Sequence, residues 1–175
     1  VSQSNTYFLE KAKEWNGILI EPMPVNFDKI TLNRTVSAVN CALVDSNFID
    51  SEIKINYAGL MSVTNGVMGK DQTKEHVANG ICLHNFKSSY QIRVEARTLS
   101  SIIDEFGSPS IDFLSLDVEG AENFVLNGID FERHRPKYIL VEERKHNETM
   151  SLIESFQYIF LDQLTNHDYL YKNTN

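Results

Sequence analysis

Three carboxylates stand close together in the chain, at Asp117, Glu119 and Glu122, with Gly120 among them. They follow the apolar run Phe113–Leu116, which predicts a buried strand, and helix-forming residues follow them. In open α/β sheets a ligand binds just beyond the carboxyl ends of the strands. Grouped acids at such an end can act as a general acid and base or bind a cation. They could equally satisfy a turn and a helix N-terminus, which is the interpretation we favour for Glu122.

Two other predicted strands also stop at acids. The apolar residues at 18–20 lead into Glu21, and those at 138–141 lead into Glu142 and Glu143. An acid after an early strand of a Rossmann-like fold accepts hydrogen bonds from ribose hydroxyls, although Glu21 could also be an ordinary strand-terminating residue. Asp117 is harder to explain in that way, because it lies inside the strand predicted at 111–119 rather than after it.

The elements that must place these acids alternate between helix and strand. We predict helices near 4–14, from Pro24, at 98–106, from 121 and around 152–156, and strands at 17–21, 36–44, 53–57, 90–96, 111–119, 137–142 and in a tail hairpin. Alternation of this kind predicts a mostly parallel sheet with helices on its faces. The two tail strands, around Tyr158 and Tyr171, are too close in sequence to pair in any way but antiparallel.

Composition limits the class of partner. The chain has 175 residues and a net charge of −8, without a cluster of basic residues. We therefore expect one domain that binds neither nucleic acid nor an anionic membrane. Cys41 and Cys82 form no disulfide framework, and no apolar run reaches the ~20 residues of a membrane span. These features favour a cytoplasmic protein.

Four segments together resemble the FkbM-type family of S-adenosylmethionine-dependent methyltransferases. They are Gly17–Phe27 (with Ile-Glu-Pro), Asn40–Leu43, Asp117–Glu122 (Asp-Val-Glu-Gly-Ala-Glu) and Arg135–Glu142. The resemblance covers most of the chain and is weakest at 58–89 and after 145. It implies a Rossmann-like class I methyltransferase sheet, mostly parallel with a C-terminal antiparallel hairpin.

The resemblance also implies roles for individual residues. Glu21, followed by Pro22, would hold the ribose hydroxyls of S-adenosylmethionine. Cys41 and Ala42 would lie beside the adenine through backbone groups, although Cys41 could instead be a small buried core residue.

On the acceptor side, the resemblance places Asp117 near the methionine part of the cofactor and the methyl acceptor. Asp117, Glu119 and Glu142 are then the candidate catalytic residues, because methyl transfer to oxygen often needs a base for the hydroxyl proton. No histidine or further oxygen ligand stands at a spacing typical of a metal site, so we predict none.

One expected part of this family's fold is not in the sequence. The glycine-rich loop after the first strand is absent, and Val1–Phe8 resembles the stretch that follows it. We therefore expect a single methyltransferase domain that lacks its first strand, with an apolar strand and a Gly-x-Gly-like turn upstream in the natural protein. This segment alone could be inactive.

Several alternatives remain open on sequence grounds. The glycine-rich stretch 58–89 could be a lid or insert over the site, or a loop without a role. His134 and His146 could approach the acceptor, but we expect them to be solvated, because a histidine in a loop is more often simply exposed to water. The family implies a sugar or small-metabolite hydroxyl as acceptor. The alternatives to a methyltransferase are a Rossmann-type nucleotide-binding enzyme of another class and a non-catalytic binding protein on a methyltransferase scaffold.

Overall fold

The computed structural model of the chain describes residues 4–57, 63–64, 90–143 and 146–175. Its helices are α1 (Tyr7–Lys13), α2 (Pro24–Asn33), α3 (Leu99–Glu105), α4 (Glu122–Leu126) and α5 (His146–Ser155). Its strands are β1 (Ile18–Ile20), β2 (Ser37–Val39), β3 (Ala42–Leu43), β4 (Glu52–Tyr57), β5 (Val63–Thr64), β6 (Tyr90–Arg97), β7 (Phe113–Leu116), β8 (Tyr138–Glu142), β9 (Tyr158–Gln163) and β10 (Asp168–Asn173). None of the helices in these ranges is long and apolar enough to cross a membrane. The proposed lid at 58–89 lies outside the described residues except for β5.

The strands confirm an α/β protein but form three sheets. β1 pairs with β2, a second sheet has the order β3-β6-β4-β5, and a third has the order β7-β8-β10-β9. Among the described strands, only β1–β2, β3–β6 and β7–β8 are parallel pairs, and four pairs are antiparallel. The described strands therefore do not form the single mostly parallel sheet that the sequence predicts, and a Rossmann-like arrangement stays a prediction. The antiparallel pairs come from the tail hairpin and from β4, which runs against both β5 and β6.

The strand predicted at 36–44 is two strands that join different sheets. The Asn40 side chain donates to the carbonyl oxygens of Glu21, at 2.7 Å, and Pro22, at 3.2 Å. These bonds hold the end of β2 beside the end of β1. Beyond Asn40 the chain leaves the first sheet, and Ala42 pairs with Ala96 of β6. The apolar run is continuous in sequence, but the polar Asn40 divides it.

The tail hairpin has the predicted antiparallel pairing. β10 lies between β8 and β9, with Asp168 opposite Glu142. Tyr158 and Tyr171 are buried in the core, and the Tyr158 hydroxyl donates to the carbonyl oxygen of Pro136 at 2.6 Å. These two tyrosines therefore pack as core, whereas the rest of β9 is exposed, including Phe160.

Two hydrophobic clusters connect the three sheets. Ile20 of β1 and Leu43 of β3 pack against a cluster that includes Leu116 of β7. A second cluster contains Met23 and has Phe124 of α4 packed against it. The ends of β1 and β7 therefore lie against the same interior.

The buried side chain of helix α1 is an acid. Phe8 is 62% exposed, whereas Glu10 is buried. Arg34 forms an ion pair with Glu10, and the backbone N–H of Thr35 donates to the same carboxylate at 2.8 Å. Burial alone would raise the pKa of Glu10, but hydrogen bonds from Lys11, Arg34 and Thr35 hold it well below its usual range. A buried ion pair, rather than an apolar stripe, attaches α1 to the end of α2.

Candidate functional site

Glu21 lies in a tight turn just after β1. Its backbone N–H donates to the carbonyl oxygen of Val39 at 3.1 Å, which continues the pairing with β2. One carboxylate oxygen accepts the backbone N–H of Met23 at 2.8 Å. Burial raises the pKa of Glu21, and the hydrogen bonds from Met23 and the Asn26 side chain partly oppose that shift. A half-buried carboxylate held by two donors still has lone pairs for further ones.

Cys41 and Ala42 lie next to this turn, because Asn40 is bonded to Glu21 and Pro22. Cys41 is fully buried, and Ala42 is nearly so. Burial raises the pKa of the Cys41 thiol to about 11, so the side chain is a neutral thiol. The Cys41 side chain therefore packs as core, and a contact with a ligand would have to use backbone groups.

Asp117 and Glu142 are adjacent at the ends of two parallel strands. Leu116 of β7 pairs with Val141 of β8, so the next residue on each strand is one of these acids. Burial raises the pKa of Asp117 to about 7, and the charge of Glu142, the charge of Glu119 and a hydrogen bond with Glu142 add to the shift. Asp117 is nevertheless exposed as a whole residue, so its proton can exchange with solvent or with a ligand. Such a carboxyl can accept or release a proton near neutral pH.

Glu119 lies in a backbone conformation that its side chain disfavours. Its φ is 52°, the φ of Gly120 is 95°, and the N–H of Ala121 donates to the carbonyl oxygen of Val118 at 3.2 Å. Two central residues with positive φ are the pattern of a type I′ turn, in which Asn, Asp or Gly is preferred at the first position. The turn therefore fixes the backbone conformation of Glu119, which follows Asp117 by two residues.

Glu122 and Glu143 form a second layer of acids that the sequence interpretation did not include in the site. Glu122 is buried, and its carboxylate accepts the N–H of Gly120 at 2.8 Å. Burial raises the pKa of Glu122, and the charge of Glu143 adds to that shift. Glu143 is also buried, and the Tyr171 hydroxyl lies 3.3 Å from one of its oxygens. A favourable interaction with the helix dipole is therefore not enough to explain the position of Glu122.

The predicted site residues form two groups. One contains Glu21, Pro22, Cys41 and Ala42, at the ends of β1 and β2, and the other contains Asp117, Glu119 and Glu142, at the ends of β7 and β8. The hydrophobic core connects them, since Ile20 and Leu116 pack in the same cluster.

His134 belongs to neither group. It is buried against Asp104, with Nε2 3.0 Å from Oδ1, and it precedes β8, whereas Glu142 ends that strand. The expectation that His134 is solvated is therefore wrong, because it packs against the end of α3. The helix α5 begins at His146, whose side chain is not among those described.

The described ranges contain no cluster of three or more His, Cys, Asp or Glu side chains arranged to hold a metal ion. An open depression lies against β4 and β6, where Phe48, Ile53 and Arg93 are among its lining residues. Its lining includes no residue of either group.

Comparison with known proteins identifies a family. The family model of the methyltransferase FkbM domain matches residues 1–171, which is nearly the whole chain. No curated protein and no solved structure matches the chain.

Proposed function

Because this chain belongs to the FkbM methyltransferase family, we propose that it uses S-adenosylmethionine to methylate a hydroxyl group of a sugar or small metabolite. The observation that carries the proposal is the pair of adjacent carboxyls, Asp117 and Glu142, at the end of two parallel strands. A base poised near neutral pH is what the removal of a hydroxyl proton requires.

The residues after β1 fit the cofactor that the family implies. The Glu21 carboxylate is half-buried, and burial raises its pKa, so additional hydrogen-bond donors would stabilise its charged form. The two hydroxyls of a ribose are such donors. We propose that Glu21 binds them, while the backbone around Pro22, Cys41 and Ala42 borders the adenine.

When bound, S-adenosylmethionine supplies an electrophilic methyl carbon on a sulfonium. The residues of this chain would orient the acceptor and take its proton. A carboxylate oxygen of Asp117 would accept the hydroxyl proton, and Glu142, which is hydrogen-bonded to Asp117, would keep that carboxyl from ionising fully at lower pH. The negative charges of Asp117, Glu119 and Glu142 would also favour the positively charged sulfonium and amino groups over neutral analogues.

We also propose that the first and third sheets belong to one Rossmann-like sheet. β1 and β7 each have a parallel partner on one edge and none on the other among the described strands. Both strands end against the same core cluster. A single parallel strand from outside the described residues would pair with both edges and join β2-β1 to β7-β8-β10-β9.

Calorimetry with S-adenosylhomocysteine and with NAD tests the class of cofactor. The proposal predicts that the full-length protein binds S-adenosylhomocysteine with a Kd between about 1 μM and 1 mM and does not bind NAD in this range. Binding of NAD alone would indicate a Rossmann-type enzyme of another class. Binding of neither would contradict the proposal and favour a non-catalytic protein.

A further inference from the structure

We propose that Glu122 is a positioning residue, whose carboxylate holds the Glu119–Gly120 turn in the conformation that keeps Glu119 beside Asp117. Its link to methyl transfer rests on the proposed function. The proposal concerns the backbone of residues 118–121 and assigns Glu122 no contact with substrate.

The turn needs something to hold it. A non-glycine residue with positive φ costs roughly 1–2 kcal/mol, and Glu119 lacks the short side chain by which Asn or Asp tolerates that region. Backbone strain of this kind persists only where the surroundings fix it, and it is concentrated at functional sites.

The Glu122 side chain stabilises the turn by a hydrogen bond. Its carboxylate reaches back to the N–H of Gly120, at 2.8 Å, and so bonds the second central residue of the turn. Ala121, at the N-cap of α4, has no side-chain cap hydrogen bond to offer. The Glu122 carboxylate bonds the residue before the N-cap, so this hydrogen bond fixes the turn rather than capping the helix.

Burial of the Glu122 carboxylate costs free energy that packing does not recover. Glu122 is only 6% exposed and has the buried Glu143 nearby, so its charge is both removed from water and repelled. An apolar residue of similar size would avoid that cost at a buried position. The acid is therefore accounted for by the hydrogen bonds that its carboxylate accepts from the backbone N–H groups of Gly120, Glu122 and Val118.

Hydrogen exchange of the Gly120 amide, measured by NMR on the full-length protein, tests the hydrogen bond between Gly120 and Glu122 directly. Glu122→Gln keeps a side-chain oxygen that can accept the bond, and we expect its Gly120 amide to exchange within about threefold of wild type. Glu122→Ala removes the acceptor, and we expect exchange to be about tenfold faster, as loss of one hydrogen bond to a charged group implies. Equal exchange in wild type and Glu122→Ala would overturn the proposal.

Binding of S-adenosylhomocysteine to the same proteins tests the consequence for the site. We expect Glu122→Ala to weaken binding about tenfold and Glu122→Gln to restore most of it. Glu148→Ala is the control, because Glu148 also lies in the first turn of a helix but is exposed. If wild type binds and Glu122→Ala binds equally well, the positioning role is wrong while the cofactor assignment stands. If wild type does not bind, the proposed function fails, and Gly120 exchange still decides whether Glu122 holds the turn.

A second background covers the case in which Glu122→Ala unfolds. Glu119→Gly removes the disfavoured φ and so adds stability, and the Glu119→Gly, Glu122→Ala protein should therefore fold. In this background Glu122→Ala should raise the unfolding equilibrium constant at least threefold, because the Gly120 N–H loses its acceptor. An unchanged unfolding equilibrium constant would overturn the proposal.

Discussion

At the scale of single residues, Asp117 couples the proposed chemistry to the stability of the fold. Its carboxyl lies between Glu142, Glu119 and the protein interior, and its pKa is raised to about 7. A raised pKa means that the folded chain binds this proton more tightly than the unfolded chain does. The contribution of Asp117 to stability is therefore fully present below about pH 4 and is lost as pH rises through about 7.

Asp117→Asn should remove this pH dependence. Relative to wild type, we expect the variant to gain about 1 kcal/mol as pH rises from about 4 to 8, a value kept small because Asp117 is exposed. Urea unfolding at pH 4, 6 and 8 measures it. Asp28→Asn, an exposed position on α2, is the control and should show no such trend. Parallel pH profiles for wild type and Asp117→Asn would contradict the raised pKa.

Substitution of Glu119 should affect the stability of the fold and cofactor binding in opposite directions. Glu119→Gly relieves the positive φ, and we expect it to stabilise the fold by about 1 kcal/mol, or 2–4 °C in Tm, while weakening S-adenosylhomocysteine binding. Glu119→Ala removes the same carboxylate but keeps the strain, so it should weaken binding without the gain in Tm. Equal Tm values for the two variants would show that the turn is unstrained.

Which acids stand at strand ends could be predicted from sequence, but their local geometry could not. The sequence singled out Glu21, Asp117 and Glu142, because an acid after an apolar run is a local pattern. The hydrogen bond from Gly120 to Glu122 and the positive φ of Glu119 depend on how the turn packs against the core. His134 was expected in solvent for the same reason, since nothing near it in sequence indicates Asp104.

At the scale of elements, Asn40 decides where one strand ends and another begins. Its side chain bonds the turn after β1 and so separates β2 from β3. A hydrophobic pattern reports which residues are buried, but it does not report which neighbour a strand pairs with. The run at 36–44 was therefore predicted as one strand.

Asn40→Ala should loosen the turn that carries Glu21. Two backbone carbonyls lose their donor, and we expect a loss of about 1–3 kcal/mol in the free energy of unfolding together with weaker S-adenosylhomocysteine binding. Asn33→Ala is the control, because the exposed Asn33 donates only to Lys29 within α2. Unchanged stability and binding in Asn40→Ala would show that the turn does not depend on this side chain.

Substitution of Gly128 tests the contact between the end of α4 and Val44, the residue after β3. A Cβ at Gly128 would lie 2.1 Å from the carbonyl oxygen of Val44, which is too close for any side chain. Gly128→Ala should therefore destabilise the fold by about 1–3 kcal/mol or more. Gly17→Ala is the matched control, because a Cβ there meets no atom within 4 Å, and it should be neutral or slightly stabilising. Equal thermal unfolding of the two variants would contradict the close packing.

At the scale of the whole molecule, the sequence predicted the class and the closing hairpin, but not the division into three sheets. The hairpin follows from local rules, because two strands joined by a short turn must run antiparallel. Sheet order depends on long-range pairing, and neither β1 nor β7 has a partner on its second edge within the described part of the chain. The shared core nevertheless brings Glu21 and Asp117 to strand ends that rest on one interior.

Calorimetric titration of Glu21→Ala with S-adenosylhomocysteine tests the central claim most directly. Glu132→Ala, whose side chain is 92% exposed in wild type, serves as the control, and circular dichroism checks that both variants fold. The account predicts that Glu132→Ala binds as wild type does, whereas Glu21→Ala loses at least about 2 kcal/mol of binding free energy, roughly a thirtyfold rise in Kd. A folded Glu21→Ala protein with unchanged affinity would contradict it.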